Sequence, residues 1–287
     1  AVATKLAFIA SNTFAMEAVT WLTSHMADAK KLDIRLEAAV AKLFCTEVSY
    51  RIIDETFQIR GGRGFETGSS LKGRGEAGYA VERMYRDARV NLIIEGTSQI
   101  MRLFIAREAL DPHLKKIEPI LSSRTPVIKK IKLAILSGLY YPFWYLKLWL
   151  PCFAVKGAGD LPPALKKHVQ FAYATTKRLA RKLFLAMLIY QQRLESKQNI
   201  LSRFVDIGTD LFVISTVCSY AATMSKQKDA PLAVSPVELA DLFCCQARTR
   251  IANNFNEVCR NQDKMTKAVA RKLMNGGYEW LENEIIK

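Results

Sequence analysis

Three histidines, and six cysteines of which no two form a Cys-x-x-Cys pair, leave this 287-residue chain poor in metal-ligand patterns. A structural zinc site takes four nitrogen or sulfur ligands at short, regular spacings, so the sequence argues against a metal centre. With neither a secretion signal nor a regular spacing, Cys45, Cys152, Cys218, Cys244, Cys245 and Cys259 read as buried thiols of a reducing compartment rather than a disulfide framework. No segment alternates as a strand does, and no internal repeat is visible. The apolar run Leu133–Leu150 is already near the minimum length of a membrane span and is interrupted by Pro142 and Lys147, which argues against a crossing helix. Acidic side chains are scarce in one region. Residues 113–182 hold 14 basic and 2 acidic residues, whereas residues 1–110 are nearly balanced at 15 and 13, so the formal net charge of +15 belongs to the second part of the chain. A basic region of this kind calls for an anionic partner: phospholipid, nucleic acid or a phosphate-bearing ligand such as CoA.

What the sequence does contain is helical spacing almost throughout. Leu6, Ile9, Phe14, Ala18, Trp21 and Leu22 predict a helix over 1–28, and Leu36, Val40, Leu43, Phe44, Val48, Ile52 and Phe57 a second over about 34–59. Gly61-Gly62-Arg63-Gly64 stops that helix. Residues 65–80 read as a Gly- and Ser-rich loop. A short helix around 81–87 and a longer one over about 97–109 are predicted next, separated by apolar Val90–Ile94 and closed by Asp111-Pro112. Six of the nine prolines then fall within 119–163. Beyond them the pattern predicts a long basic helix over about 164–196, an apolar core helix near 200–224 and two more helices, to about Arg260 and to Lys287. Ser235-Pro236-Val237-Glu238 carries the start signal of the first of these: a cap, Pro at the first position and Glu for a capping box. Ala1-Val-Ala-Thr-Lys5 is already helical sequence without an initiator Met or targeting segment, so the expectation is a start partway through a domain.

The segments that can carry chemistry are Gln58-Ile-Arg-Gly61-Gly62-Arg-Gly64, Val81-Glu-Arg-Met-Tyr-Arg86-Asp87 and Ile94-Glu95-Gly96-Thr97-Ser98-Gln99-Ile-Met-Arg102. Taken singly these are a helix stop, a surface ion pair and a loop acid favoured by a helix dipole. In this order they resemble the carboxy-terminal helical domain of the acyl-CoA dehydrogenases, nearest to the long-chain and very-long-chain members, almost continuously over residues 1–110. The resemblance implies an all-α fold, a partial four-helix bundle. It also implies that Gln58, Gly61 and Gly62 touch the adenosine diphosphate part of FAD held mainly by a neighbouring subunit. Bare glycine amides can approach a pyrophosphate closely, and Gln both donates and accepts. Glu95 falls on the family's catalytic base, Gly96 on the room left for the thioester, and Thr97 and Gln99 on positions that contact FAD from the start of the next helix. A carboxylate removes a weakly acidic α-proton best when desolvated and raised toward neutrality, and Leu92, Ile93 and Ile94 are apolar neighbours suited to that. Arg86-Asp87 reads as structural. Two departures from the family pattern, extra residues over roughly Gly68–Gly78 and Ile94 where many members carry an aromatic, leave chain-length preference open.

The family's amino-terminal helical domain, its middle β-domain and the first helix of the carboxy-terminal domain have no counterpart in these residues. The activity therefore belongs to a longer parent, with the fragment alone inactive. Residues 111–287 resemble, at the level of pattern, the extra helical domain of the very-long-chain type, which implies a homodimer and a membrane-associated segment. The expected division is 1–111 dehydrogenase domain, 112–163 basic, aromatic membrane-apposed linker and 164–287 second helical domain. Lys129, Lys130 and Lys132 precede an apolar run with Tyr140, Tyr141, Trp144, Tyr145 and Trp149, and Lys156, Lys166 and Lys167 follow, as on an interfacial helix. The membrane surface is thus expected along residues 124–167. A core helix with its aromatics packed inside is the alternative. Nucleic acid is not expected, since the stripe Lys177, Arg178, Arg181 and Lys182 comes without a binding motif. The parent would oxidise long-chain acyl-CoA to trans-2-enoyl-CoA in fatty-acid β-oxidation and pass electrons to electron-transfer flavoprotein. It would be intracellular and peripheral on a membrane, cytoplasmic if bacterial, or on the matrix face of the mitochondrial inner membrane if eukaryotic. The rival reading is a non-catalytic scaffold, because one mitochondrial relative with this extension serves as an assembly factor.

Overall fold

Helical spacing sorts many apolar side chains onto shared faces, and the computed structural model shows the faces of the six longest helices closing on one another. It describes residues 1–30, 33–122, 125–150, 159–226 and 235–281. Among these, helices run over Val2–Ala29 (α1), Arg35–Arg60 (α2), Gly62–Phe65 (α3), Gly68–Gly73 (α4), Val81–Asn91 (α5), Ser98–Leu121 (α6), Val127–Lys147 (α7), Pro163–Tyr190 (α8), Gln198–Met224 (α9), Pro236–Cys259 (α10) and Asp263–Met274 (α11). Two short 3₁₀ turns, Gln191–Leu194 and Glu279–Leu281, complete them, and no strand occurs among the described residues. The fold is all-α, as the periodicity required.

Helix α9 is the centre. Its Ile207, Val213, Ile214, Val217, Cys218 and Ala221 are fully enclosed, and α1, α6, α8 and α10 pack around it. One hydrophobic core joins the amino-terminal helices to the later ones. Phe44 of α2 meets Phe243 of α10 edge-on at 5.9 Å, and Phe14 of α1 lies 5.4 Å from Tyr220 of α9. Polar bonds cross the same seam: Tyr220 donates to Glu17 at 2.9 Å, and Asn12 Nδ2 to Gln246 at 3.4 Å.

Several boundaries differ from the sequence expectation. Helix α6 does not close at Asp111-Pro112 but runs on to Leu121. An interior proline costs roughly 3 kcal/mol. Continuing the helix places His113 5.3 Å from Trp144 and Lys116 3.9 Å above Tyr140. Such aromatic and cation–π contacts are worth about 1 kcal/mol each, so they offset part of the cost of carrying Pro112 and Pro119 inside the helix. The stretch 65–80 is not all loop: Thr67 caps α4 by accepting the Ser70 N–H at 3.2 Å, and Leu71 is fully buried beneath it. Val90 and Asn91 belong to α5. The basic helix ends at Tyr190, because Gln191 turns left-handed (φ 47°). At α10, Ser235 caps through the Val237 N–H at 3.3 Å. The last predicted helix stops at Met274, and residues 282–287 lie outside the described residues. The thiols divide as well: Cys218 and Cys244 are buried and Cys45 half-buried, but Cys245 and Cys259 are exposed, contrary to expectation, while Cys152 lies outside the described residues.

Helix α7 divides most of its aromatic residues from its aliphatic ones. Tyr141 stacks on Phe184 of α8 at 5.6 Å, and Trp144 and Tyr145 pack on the same ring. The aliphatic residues face outward: Ile128, Ile135, Leu139 and Leu146 are all mostly exposed, as are Phe143 and Trp149. No residue of α7 is buried, and no helix among the described residues is long and apolar enough to cross a membrane.

Candidate functional site

The turn between α5 and α6 carries Glu95, Gly96 and Thr97. Ile93 and Ile94 return their N–H groups to Val90 at 2.9 Å each, and Ser98 N–H reaches back to Leu92 at 3.3 Å, which closes the turn. Glu95 is left-handed (φ 58°), a conformation that costs a side-chain-bearing residue about 1 kcal/mol. Gly96 follows at φ 101°, a conformation that favours glycine, and a Cβ there would come within 2.9 Å of Met101 Sδ, so the Met101 side chain would have to shift. Thr97 caps α6 by accepting the Ile100 N–H at 3.3 Å. A hydroxyl has a donor and two acceptor positions, and the cap uses one acceptor. Gln99 lies exposed on the first turn of α6.

Glu95 itself is exposed, and so are Ile93 and Ile94, at 56% and 54%. The expected apolar enclosure is therefore not supplied by its sequence neighbours. Only a further surface laid on this turn could desolvate the carboxylate.

Gln58, Gly61 and Gly62 form a second element at the end of α2. Gly61 N–H closes the helix on Phe57 at 3.0 Å, Gly61 has φ 57°, and nothing lies within 4 Å of where a Cβ would stand at Gly61 or Gly62. Gln58 is exposed in the last turn. The two elements are not brought together. Lys42 of α2 touches the Glu95 turn, and Gln58 lies sixteen residues further along that helix, or roughly 24 Å at 1.5 Å per residue. One flavin-sized contact zone at each end of α2 is what this separation leaves open.

Each element also holds an orphaned polar group: Arg60 Nε beside Gly61, and Ser98 Oγ beside Thr97, both buried without a protein partner. Exposed backbone at a left-handed glycine, a neighbouring guanidinium and an unpartnered hydroxyl are fitted to a phosphate-bearing, hydrogen-bonding ligand such as FAD. Arg86 and Asp87 are both exposed, and Asp87 pairs with Arg83, 3.6 Å away and one turn back, so the expected pair is a solvated helix face.

Sequence reasoning missed three features. Lys42 bonds the site turn from 54 residues away. Arg102, one turn into α6, is shared by Glu47 of α2 at 3.3 Å and Asp206 of α9 at 2.8 Å. His168, Asp241 and Cys245 place their ligand-type atoms within 4.8 Å of one another. His168 Nε2 and the Lys167 ammonium both lie on Asp241 Oδ1, at 2.8 and 2.9 Å, so the carboxylate is already engaged, while His168 Nδ1 is buried without a hydrogen-bond partner. Only adjacency in space reveals any of the three.

With the geometry in hand, comparison with known proteins is direct. Residues 1–110 match the family model "Acyl-CoA dehydrogenase, C-terminal domain", and residues 163–278 match "ACAD9/ACADV, C-terminal domain". The chain is 41% identical over its whole length to the probable acyl-CoA dehydrogenase FadE10 of Mycobacterium tuberculosis, of which it covers 44%. It is 27% identical to the mitochondrial very long-chain specific acyl-CoA dehydrogenase of Rattus norvegicus, over 95% of this chain and 40% of that one. A crystal structure of an acyl-CoA dehydrogenase complexed with FAD from Bacillus anthracis shares the fold, with a TM-score of 0.59 at 23% identity, over 93% of this chain and 43% of that one. The chain thus spans less than half the length of these relatives. It belongs to the acyl-CoA dehydrogenase family, as a carboxy-terminal portion of the very-long-chain type.

Proposed function

We propose that this chain is the base-bearing portion of an FAD-dependent acyl-CoA dehydrogenase that converts long-chain acyl-CoA to trans-2-enoyl-CoA, with Glu95 removing the α-proton. The observation that carries this reading is the Glu95-Gly96-Thr97 turn, a carboxylate held on left-handed backbone at the mouth of α6, inside the segment matched to the dehydrogenase model. A fixed turn suits a base whose oxygen must meet one particular C–H bond. Gly96, lacking a side chain, leaves the thioester room to approach. Bound flavin would supply the two-electron acceptor for the hydride leaving the β-carbon. Thr97 and Gln99 would hold it at the α6 end, while Gln58, Gly61 and Gly62 would hold the adenosine diphosphate part of a second copy's flavin. The separation of the two elements along α2 supports their serving different flavins in a homodimer.

Electron-transfer flavoprotein is the acceptor that this chemistry implies. The bare aliphatic side of α7, flanked by Lys129, Lys130 and Lys132, supports a peripheral seat on an anionic membrane over residues 124–167, within which Arg124, Lys156 and the rest of 151–158 lie outside the described residues. The resulting place is intracellular: the cytoplasmic face in a bacterium, the matrix face of the inner membrane in a mitochondrion.

Anaerobic addition of palmitoyl-CoA to the full-length flavoprotein tests the reading. Rapid bleaching of the flavin absorbance is expected. Bound flavin that no acyl-CoA bleaches would overturn it and leave the fold as a scaffold.

A further inference from the structure

Lys42 lies midway along the first half of α2, and its ammonium donates to two backbone carbonyls of the opposite segment: Asn91 O at 3.1 Å and Gly96 O at 2.6 Å. Asn91 is the last residue of α5, where helix carbonyls have no partner within the helix and where a cation meets the negative end of the dipole. Gly96 is the residue after Glu95. The two bonds therefore span the turn from its entry to its exit. The turn's own hydrogen bonds join 90 to 93 and 94, and 92 to 98, and leave the Gly96 carbonyl, which follows two successive residues of positive φ, to be held from outside. Two charge-assisted bonds from a single ammonium hold the turn against the left-handed cost at Glu95.

We infer that Lys42 is a positioning residue that fixes the direction of the Glu95 carboxylate by pinning the Gly96 carbonyl, at the exit of the same left-handed turn. This rests on the reading of Glu95 as the base. Lys42 touches neither substrate nor flavin in this role. It acts through the backbone, and its loss frees a strained turn to relax, swinging the carboxylate away from the α-carbon.

The test uses the full-length flavoprotein and three variants, Lys42→Met, Lys42→Arg and Glu95→Gln. Lys42→Met is expected to lower the anaerobic bleaching rate about tenfold to a hundredfold, the loss that a displacement on the order of 1 Å brings. KM should stay within about twofold and flavin content should not change. Amide hydrogen exchange across 91–98 should quicken in Lys42→Met, a readout that needs no turnover. Lys42→Arg, whose guanidinium can also donate to two carbonyls, should restore most of the rate, which a general packing defect would not allow. An unchanged rate in Lys42→Met beside an inactive Glu95→Gln overturns the inference and leaves the base in place. Normal bleaching in Glu95→Gln overturns the base, and the positioning role with it, even where exchange across 91–98 still quickens.

Discussion

Arg102 Nε donates to Asp206 Oδ1 at 2.8 Å, and the same guanidinium bonds Glu47 at 3.3 Å. Arg102 sits four residues after Ser98 on the helix that opens at the Glu95 turn, and Asp206 belongs to the core helix of the later domain. The extension thus grips the helix that leads out of the site. Burial raises the Asp206 carboxyl, and the Arg102 guanidinium counters it. Asp206→Ala should remove one charged hydrogen bond and lower stability by about 2 kcal/mol. Combined with Arg102→Met, the loss should be less than the sum of the two single losses. Urea midpoints of the four proteins measure this, and strict additivity would show that the pair is uncoupled.

Gly208 stands inside α9 and lines an apolar cavity of about 190 Å³ between α2, α6, α8 and α9. A Cβ there would meet only Leu179 Cδ2, at 3.8 Å. Gly208→Ala should therefore stabilise the fold by about 1 kcal/mol, since alanine loses less backbone entropy in a helix and finds space waiting. A raised melting temperature is expected, and a lowered one would mean that the cavity cannot accept a methyl group.

The bare side of α7 gives a prediction that separates charge from apolar contact. Ile135 and Leu139 are 59% and 70% exposed and lie one turn apart. Ile135→Gln with Leu139→Gln, which leaves the charge unchanged, should weaken binding to anionic liposomes by about tenfold or more, without lowering the melting temperature. Binding of the unaltered protein should fall as salt rises. Co-sedimentation at two salt concentrations reads both effects, and equal binding by the double variant would remove α7 from the contact.

His168 supplies a pH dependence. Its ring is fully enclosed, and burial pushes its pKa below the usual 6.5 despite the bond to Asp241; Lys167 and Arg248 push the same way. The folded imidazole stays neutral while the unfolded chain takes up a proton. The stability it contributes is therefore complete above about pH 6.5 and is lost as pH falls toward the depressed folded value. Burial lowers His113 as well, so it acts in the same sense. Asp206 and Asp210, raised by burial, act in the opposite sense. His168→Gln, whose amide can still donate to Asp241, should lessen the loss of stability as pH falls below about 6.5. An identical slope would place the dependence elsewhere.

The helices were legible in the sequence because their apolar spacing is local, and Glu95-Gly96-Thr97 was legible because its parts are contiguous. Other features were out of reach for physical reasons. Lys42 and Gly96 are joined only by folding. Pro112 carries a local stop signal that contacts of α6 with α7 override. In α7 nearly every position is apolar or aromatic, so the pattern could not say that Tyr141 and Trp144 turn inward while Ile135 and Leu139 stay bare. The expectation that Ile93 and Ile94 would shroud Glu95 failed because adjacency in sequence does not set direction in a left-handed turn.

The central claim is that Glu95 is the base, and the most direct measurement is anaerobic flavin bleaching by palmitoyl-CoA in full-length Glu95→Gln beside the unaltered protein. Glutamine keeps the shape and removes the proton acceptor. The account expects flavin content to be retained and bleaching to fall to the detection limit. Bleaching at the unaltered rate would show that another group takes the proton.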